Sequence, residues 1–207
     1  MQEANSLSKR AILRQEKILD AAMTVILRHG FDRCGMQDIA LESGITRAAL
    51  YRYFRSKDEV LHALVSAINA EANDAALAES RAEGPFAERL FKVLDRRLGR
   101  IQGILRQGSH GAEIADATHR VTGELTVEAD RSYLTIVEDM FAEAARRGEI
   151  NVSASGIAPE RHAEICVFAA KGLMKQPGDI AYREDYAESL YDLCRVVCAS
   201  LRAAPLG

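Results

Sequence analysis

The chain contains no tryptophan and only four prolines among its 207 residues, and its four cysteines form no Cys-x-x-Cys pair. Proline interrupts helices, whereas alanine, leucine, glutamate and arginine, which are frequent here, favour them. No apolar run approaches the roughly 18 residues that cross a bilayer, and the N-terminus lacks the hydrophobic segment of a signal peptide. These absences predict an all-α protein without a membrane span, located in the cytoplasm.

Residues 36–57 have the pattern of two short helices joined by a glycine turn. Gly44 can adopt a positive φ after the first helix, and Thr46 can cap the second by accepting a backbone N–H. Leu50 and Phe54 fall on the side that should be buried. The outward-facing residues are predicted to be Gln37, Arg47, Ala48, Tyr51 and Tyr53. The stretch therefore predicts a helix-turn-helix whose second helix can enter a DNA major groove.

The flanking segments complete a small helical domain. Apolar residues recur at helical spacing over residues 11–29, and Gly30 is the expected C-terminal stop. Downstream, Ser56 and Glu59 form a Ser-x-x-Glu capping box, which predicts that the next helix begins at Lys57. Three helices should therefore share one core, with a fourth leading away from it.

Residues 12–65 resemble the DNA-binding domain of the TetR family of bacterial transcriptional regulators. All the matching elements occur in order at the family's spacing, and together they cover about a quarter of the chain. They are Ile18-Leu19-Asp20-Ala21-Ala22, His29-Gly30-Phe31, Asp38-Ile39-Ala40, Gly44-Ile45-Thr46, Leu50-Tyr51-Arg52-Tyr53-Phe54 and Ser56-Lys57.

The resemblance implies roles for individual residues. Base edges are expected to face Gln37, Arg47, Ala48 and Tyr51, while phosphates are expected to contact Tyr53 and Lys57, with Thr46 capping the reading helix. One departure is Gly35, where the family usually has Ser or Thr, so a phosphate contact there could come only from its backbone N–H. The implied partners are double-stranded DNA with a palindromic operator, a small-molecule effector, and a second copy of the chain.

Charge supports a division into residues 1–57, a DNA-binding domain with a basic N-terminal arm, and residues 58–207. The first segment carries ten basic and six acidic residues, an excess of +4, whereas the second has a net charge of −7. A local basic excess favours phosphate contacts even though the whole chain is acidic. The second segment is expected to be the larger helical domain that binds effector and forms the dimer.

Helical periodicity predicts the main elements of that domain, separated by glycine and proline. They are 57–82, 86–107, roughly 120–147, 159–175 and 183–203, with a short helix near 111–118. Two apolar stripes lie on the last two helices and fit either a dimer interface or an internal core. They are Ile165, Phe168, Ala169, Gly172 and Leu173, and Leu190, Leu193, Val197 and Leu201.

The sequence favours a ligand-responsive repressor over an enzyme. It has no His-Glu-x-x-His pair and no Gly-x-Ser-x-Gly elbow, so neither catalysis nor a metal or cofactor is expected. The effector is expected to be largely apolar. Its candidate contacts are Leu105, His110, Tyr133, Met140, Phe141, Phe168 and Met174. Two alternatives remain: a redox or metal sensor using Cys194 and Cys198, and an interaction protein whose helix-turn-helix is architectural.

Overall fold

The structure, a computed structural model, describes residues 2–107, 109–152, 155–174 and 184–201, with side chains described from residue 11 onward. Every regular element in these ranges is helical, which confirms the predicted all-α class. The helices are α1 (Gln2–His29), α2 (Met36–Ser43), α3 (Arg47–Leu50), α4 (Lys57–Ser80), α5 (Phe86–Leu94), a π-helical segment (Asp95–Gly99), α6 (Arg100–Arg106), α7 (Gly111–Arg146), α8 (Pro159–Gly172) and α9 (Tyr186–Ser200).

The first of two compact units comprises Met1–Ile68 and Gln107–Thr126. Its helix-turn-helix domain is built from α1, α2, α3 and the first turns of α4. Apart from Ser43, the buried side chains of these elements are apolar, as the periodicity predicts. They include Ile18, Ala22, Val25, Ile26, Phe31, Ile39, Ala40, Leu50, Phe54, Val60 and Leu61. The predicted N-terminal three-helix domain is confirmed.

The second unit comprises Asn69–Arg106 and Val127–Gly207. Its core is formed by α5, α7, α8 and α9, with the Phe86 and Phe141 rings packed edge to face at 5.0 Å. Leu190 and Leu201 of the α9 stripe are buried in this core, and Leu193 and Val197 pack against it. The α9 stripe is therefore largely internal.

The α8 stripe has a different environment. Ile165, Phe168 and Gly172 are exposed, while Ala169 and Leu173 are half-buried. Phe168 has 57% of its surface exposed, an unusually large fraction for a phenylalanine in a helical domain. The side of α8 that bears Ile165 and Phe168 is thus not part of the chain's own core.

Several predicted helix boundaries differ from the structure. The separate helices predicted near 111–118 and 120–147 correspond to the two parts of α7, which meet at a kink where Thr122 has non-helical backbone angles (φ −125°, ψ 22°). The predicted helix 86–107 is interrupted by the π-helical segment, because residues 95–99 accommodate a wider turn. The predicted ends at 175, 183 and 203 and the breaks at Gly108 and Pro177-Gly178 lie outside the described residues.

The capping box that was predicted before α4 is only half formed. Ser56 Oγ accepts a hydrogen bond of 3.1 Å from the Glu59 N–H, as expected for an N-cap. The Glu59 carboxylate, however, accepts from the Arg55 N–H at 2.6 Å rather than from Ser56. One carboxylate thus stabilises the residue before the cap.

The compact units do not divide at residue 57. Val60, Leu61 and Leu64 of α4 are buried and belong to the first unit, and residues 107–126 join it from later in the chain. A boundary at residue 57 therefore stays a prediction about function rather than a description of packing. In the part of the chain that the structure describes, no helix combines the length and apolar character needed to cross a membrane.

Candidate nucleic-acid interface

The turn between α2 and α3 has the geometry expected from its glycine. Gly44 has φ 69° and ψ 32°, in the left-handed region where L side chains are strained. Its N–H donates to the Leu41 carbonyl at 3.1 Å, and the Ile45 N–H donates to the Ala40 carbonyl at 3.0 Å. These two bonds satisfy carbonyls at the end of α2 and reverse the chain within three residues.

The reading helix α3 is very short and depends on its cap and its neighbours. Thr46 Oγ1 accepts a hydrogen bond of 3.1 Å from the Ala49 N–H, so its predicted capping role is confirmed. After Leu50 the chain tightens into a turn, and the Phe54 N–H still donates to the Leu50 carbonyl at 3.0 Å. Leu50 and Phe54 are buried and hold this turn in place, because so short a helix is unstable alone.

The residues that were predicted to read bases are exposed together. They are Gln37 on α2, and Arg47, Ala48 and Tyr51 on or just after α3. Arg47 Nη2 donates to the Tyr51 hydroxyl at 3.2 Å, and its guanidinium lies 5.4 Å from the centre of the Tyr51 ring. Tyr51 accepts in this bond and keeps its own O–H as a donor.

Tyr53 and Lys57, the predicted phosphate contacts, are half-buried. Lys57 Nζ donates to the carbonyls of Phe31 at 2.7 Å and Asp32 at 3.3 Å, and lies 4.3 Å from the centre of the Phe31 ring. Two of the three ammonium donors are thus directed at the loop after α1. The sequence pattern did not predict this internal contact, and a phosphate contact by Lys57 stays a prediction.

The start of α2 contains a local contact that the sequence analysis missed. The Gly35 N–H donates to Asp38 Oδ2 at 2.8 Å, so the one group through which Gly35 was expected to contact phosphate is already paired. Nearby lies a shallow depression of about 250 Å³, lined by Arg28, His29, Arg33, Asp38 and His110. Arg28 is paired with Glu42 at 3.2 Å.

The predicted effector contacts have different environments. Tyr133, Met140 and Phe141 are buried in the core of the second unit, with the Tyr133 hydroxyl donating to the Val93 carbonyl at 3.3 Å. Leu105 and Met174 are half-buried, Phe168 is exposed on α8, and His110 belongs to the first unit. Their role in effector binding stays a prediction.

The second unit also contains a buried cation that sequence reasoning missed. Arg97, in the π-helical segment, is 1% exposed. Its Nη1 donates to Asn69 Oδ1 at 2.7 Å and its Nη2 to Asp130 Oδ1 at 2.9 Å, while Lys171 Nζ lies 2.6 Å from Asp130 Oδ2. We call these four residues the Arg97 cluster. Arg97 lies in an Asp-Arg-Arg-Leu-Gly-Arg run, which has the composition of a solvated helix face and gives no signal of burial.

The cysteines have the properties of core residues. Burial raises the pKa of the Cys166 thiol to about 12, and it also raises the pKa of Cys194 and Cys34. A raised pKa lowers the thiolate fraction and hence the reactivity expected of a redox sensor. Among the described residues, no three His, Cys, Asp or Glu side chains are placed to hold a metal ion. The geometry therefore does not favour the redox or metal-sensing alternative.

An N-terminal helix-turn-helix with an exposed row of polar and basic residues, followed by a second helical unit, defines the class of helix-turn-helix regulators. Residues 18–64 match the family model of bacterial regulatory proteins, tetR family. Residues 18–64 are therefore a DNA-binding domain of the tetR family.

Individual relatives agree with this assignment. The HTH-type transcriptional repressor KstR of Mycobacterium tuberculosis is 31% identical over 142 residues, which cover 66% of this chain and 60% of that repressor. The chain spans between 25% and 60% of the length of the first curated relatives that it matches.

Solved structures show the same fold over most of the chain. A TetR/AcrR-family regulator from Thermobifida fusca has a TM-score of 0.66 at 24% identity, with 92% of this chain and 99% of that chain covered. The complex of SmeT with triclosan has a TM-score of 0.67 at 23% identity, with 94% of each chain covered. The predicted helix-turn-helix domain followed by a larger helical domain is confirmed.

Proposed function

We propose that the protein is a homodimeric transcriptional repressor that binds a palindromic operator and is released by a small-molecule effector. The observation that carries the proposal is the exposed row of Gln37, Arg47, Ala48 and Tyr51 on a helix-turn-helix held by a left-handed Gly44. Its target would be genomic DNA, so the proposed location is the cytoplasm. No catalytic step is proposed.

The chemistry of the row suits the major groove. Arg47 can donate two hydrogen bonds to O6 and N7 of guanine, worth about 1–3 kcal/mol of discrimination, and Gln37 can pair with adenine. Ala48 has only a methyl group, so it allows close approach and can contact a thymine methyl. The Tyr51 hydroxyl accepts a hydrogen bond from the exposed Arg47 side chain and offers its own proton. In this proposal Arg47 contacts a base, and Tyr51 both hydrogen-bonds with Arg47 and can donate a hydrogen bond of its own.

Affinity that does not depend on sequence would come from phosphate contacts. Tyr53, the third ammonium donor of Lys57, and the basic residues at the end of α1 are candidates. The depression near the start of α2 presents Arg33 beside Asp38, whereas Arg28 is paired with Glu42. Such contacts make binding strongly dependent on salt, so each affinity must be measured at a stated ionic strength.

Dimerisation is proposed through α8. One helix-turn-helix covers only a half-site, and a two-fold dimer recognises a palindrome. Ile165 and Phe168, one turn apart on α8, are 45% and 57% exposed, and Gly172 continues the same side of the helix. A second copy that packed against this side would bury the apolar side chains that the chain's own core leaves exposed.

Effector response is proposed for the second unit. SmeT, which has the same fold, forms a complex with triclosan. An effector can release the operator only if it binds more tightly to one conformation of the dimer than to the other. In the conformation that it favours, the two helix-turn-helix motifs must not fit the half-sites. The apolar core around Tyr133 and Phe141 is compatible with such a ligand.

The test begins with the selection of genomic DNA fragments that the purified, full-length protein retains at fixed salt. We expect a palindromic sequence to be recovered, and the Arg47→Ala variant to bind it about 10- to 100-fold more weakly. Arg52→Ala is the matched control: Arg52 is an equally exposed arginine five residues later, and its loss should cost little more than one phosphate contact. If no palindrome is enriched, or if both variants bind alike, the proposed reading surface is wrong.

A further inference from the structure

The Arg97 cluster has one more positive than negative charge. Arg97 and Lys171 share the single carboxylate of Asp130, one on each oxygen. Among the described residues, neither cation has a second carboxylate within ion-pairing distance. Arg97 is 1% exposed, so water does not compensate its charge as it would at a surface. The side chains of Lys171 and Asp130 are each 34% exposed, so solvent compensates Lys171, whereas the buried Arg97 shares its one carboxylate.

The same cluster contains hydrogen-bond donors without partners. Arg97 Nε and Asn69 Nδ2 are both buried, and neither has an acceptor within reach. Nearly all buried polar groups in native proteins are paired, so two unpaired donors on two hydrogen-bonded residues are exceptional. Because Asn69 Oδ1 must face Arg97 to accept its proton, the amide orientation is fixed and Nδ2 remains unpaired.

The surroundings of the cluster are apolar. The Arg97 guanidinium lies 5.4 Å from the centre of the Tyr133 ring, and the neighbouring Leu94 and Leu98 are core residues. Arg97 also lies in a π-helical segment, and such wide turns recur at functional sites because they redirect side chains. A ligand at this position would meet two N–H donors, a net positive charge and hydrocarbon walls.

We propose that Arg97 and Asn69 bind the carboxylate of an amphipathic organic acid, and that this acid is the effector. The inference rests on the proposed function and names the chemical class of its ligand. A carboxylate supplies both the missing charge and acceptors for Arg97 Nε and Asn69 Nδ2. Its hydrocarbon part would lie along the apolar walls. A neutral, wholly apolar ligand would leave both donors unpaired.

Binding is tested by calorimetry on the full-length protein without DNA. The probes are acetate, benzoate, octanoate and dodecanoate, each compared with its primary amide, which matches the shape but lacks the charge. We expect at least one carboxylate to bind once per chain, at least tenfold more tightly than its amide. If no carboxylate binds more tightly than its amide, the proposal is overturned.

Variants locate the site. Asn69→Asp places a carboxylate beside Arg97, so it should raise the melting temperature of the unliganded protein and weaken carboxylate binding at least tenfold. Arg97→Met should abolish the preference for acid over amide. Arg100→Met is the matched control, since Arg100 lies three residues later and pairs with Glu71 at the surface; it should bind as the native protein does.

The outcomes separate this inference from the proposed function. If Arg97→Met fails to fold, Asn69→Asp decides, and native carboxylate affinity in that variant would overturn the site. Carboxylate binding without any operator binding would refute the repressor but keep the acid site. Operator binding that responds to amides as well as to acids would keep the repressor and refute the acid site.

Discussion

The backbone N–H of Asp32 donates a 3.0 Å hydrogen bond to Oε1 of Glu113, 81 residues later in the chain. His110 Nδ1 lies 3.3 Å from the other oxygen of the same carboxylate. Within the first unit, a single side chain near the start of α7 thereby joins that helix to the loop after α1. Gly30 makes this approach possible, because a Cβ at that position would lie 2.5 Å from the carboxylate oxygens.

Glu113→Ala should lower the free energy of unfolding by about 1 kcal/mol. The substitution leaves the Asp32 N–H without its charged acceptor, and the half-exposed site limits the loss relative to a buried bond. Urea denaturation of the full chain measures it. Asp116→Ala, an exposed acidic residue one turn along α7, is the control and should be nearly neutral. Equal losses in the two variants would contradict the role assigned to the contact.

Gly30→Ala should cost more, for two separable reasons. Gly30 has φ 82°, a left-handed conformation that costs an alanine about 1–2 kcal/mol, and the added Cβ would also collide with Glu113. In a Glu113→Ala background the collision disappears but the backbone strain remains. The two substitutions should therefore be non-additive in a double-mutant cycle, and strict additivity would refute the steric part of the argument.

Tyr51→Phe should weaken operator binding about three- to tenfold at constant salt, equivalent to roughly 1 kcal/mol for one hydrogen bond. The ring stays and continues to contact the Arg47 guanidinium, so the change isolates the hydroxyl. Titration against operators altered at one base at a time should locate the loss at the base that Arg47 contacts. If Tyr51→Phe weakens binding equally in an Arg47→Ala background, the two residues act independently.

Phe168→Glu should shift the protein from dimer to monomer in sedimentation velocity experiments. A charge on the exposed side of α8 would have to be buried unpaired in the proposed interface, which is strongly unfavourable. Val127→Glu provides the comparison, since Val127 is 58% exposed on α7 and its substitution should leave the dimer intact. A Phe168→Glu variant that remains dimeric would place the interface elsewhere.

Stability should fall as pH rises above about 9. Burial raises the pKa of Cys166 from 9.0 to about 12, so the folded protein keeps a proton that the unfolded chain releases. Stability from this thiol is fully present below pH 9 and is lost by up to about 1.4 kcal/mol per pH unit between pH 9 and 12. Burial likewise raises the pKa values of Cys194, Tyr133 and Tyr186, so they contribute in the same direction.

Urea denaturation from pH 8 to 11 measures this dependence. In the Cys166→Ala variant, the free energy of unfolding should fall less steeply with pH, because one titrating thiol has been removed. The substitution also alters packing, but that effect is the same at each pH. The slope of the unfolding free energy against pH therefore reports the thiol alone. An unchanged slope would mean that Cys166 ionises in the folded state.

Local patterns predicted the helix-turn-helix well because its determinants are close in sequence. Gly44, Thr46, Leu50 and Phe54 lie within eleven residues, and each acts through its own backbone conformation, cap or helical face. The exposure of Arg47 follows from the same periodicity. Fold class could be predicted for the same reason, since propensity and spacing are properties of short segments.

Contacts between distant residues could not be predicted in this way. Lys57 looked like a free cation at a helix start, but its partners are the carbonyls of Phe31 and Asp32, 26 and 25 residues earlier. Arg97 looked solvated, and its burial depends on Asn69 and Asp130. Hydrophobicity indicated the burial of Tyr133, Met140 and Phe141 without indicating which residues they meet.

Because Arg97 lies in the π-helical segment, the direction of its side chain depends on the number of residues in that segment as well as on their identities. A wide turn contains one residue more than an α-helical turn, so loss of any single residue between Asp95 and Gly99 would restore a regular helix. Every side chain from there to the end of α6 would then rotate by about 100°. A deletion of one codon would thus remove the alignment of Arg97 with Asn69, or that of Arg100 with Glu71, while leaving those residues unchanged. The proposed acid site therefore depends on the number of residues in this segment as well as on their identities.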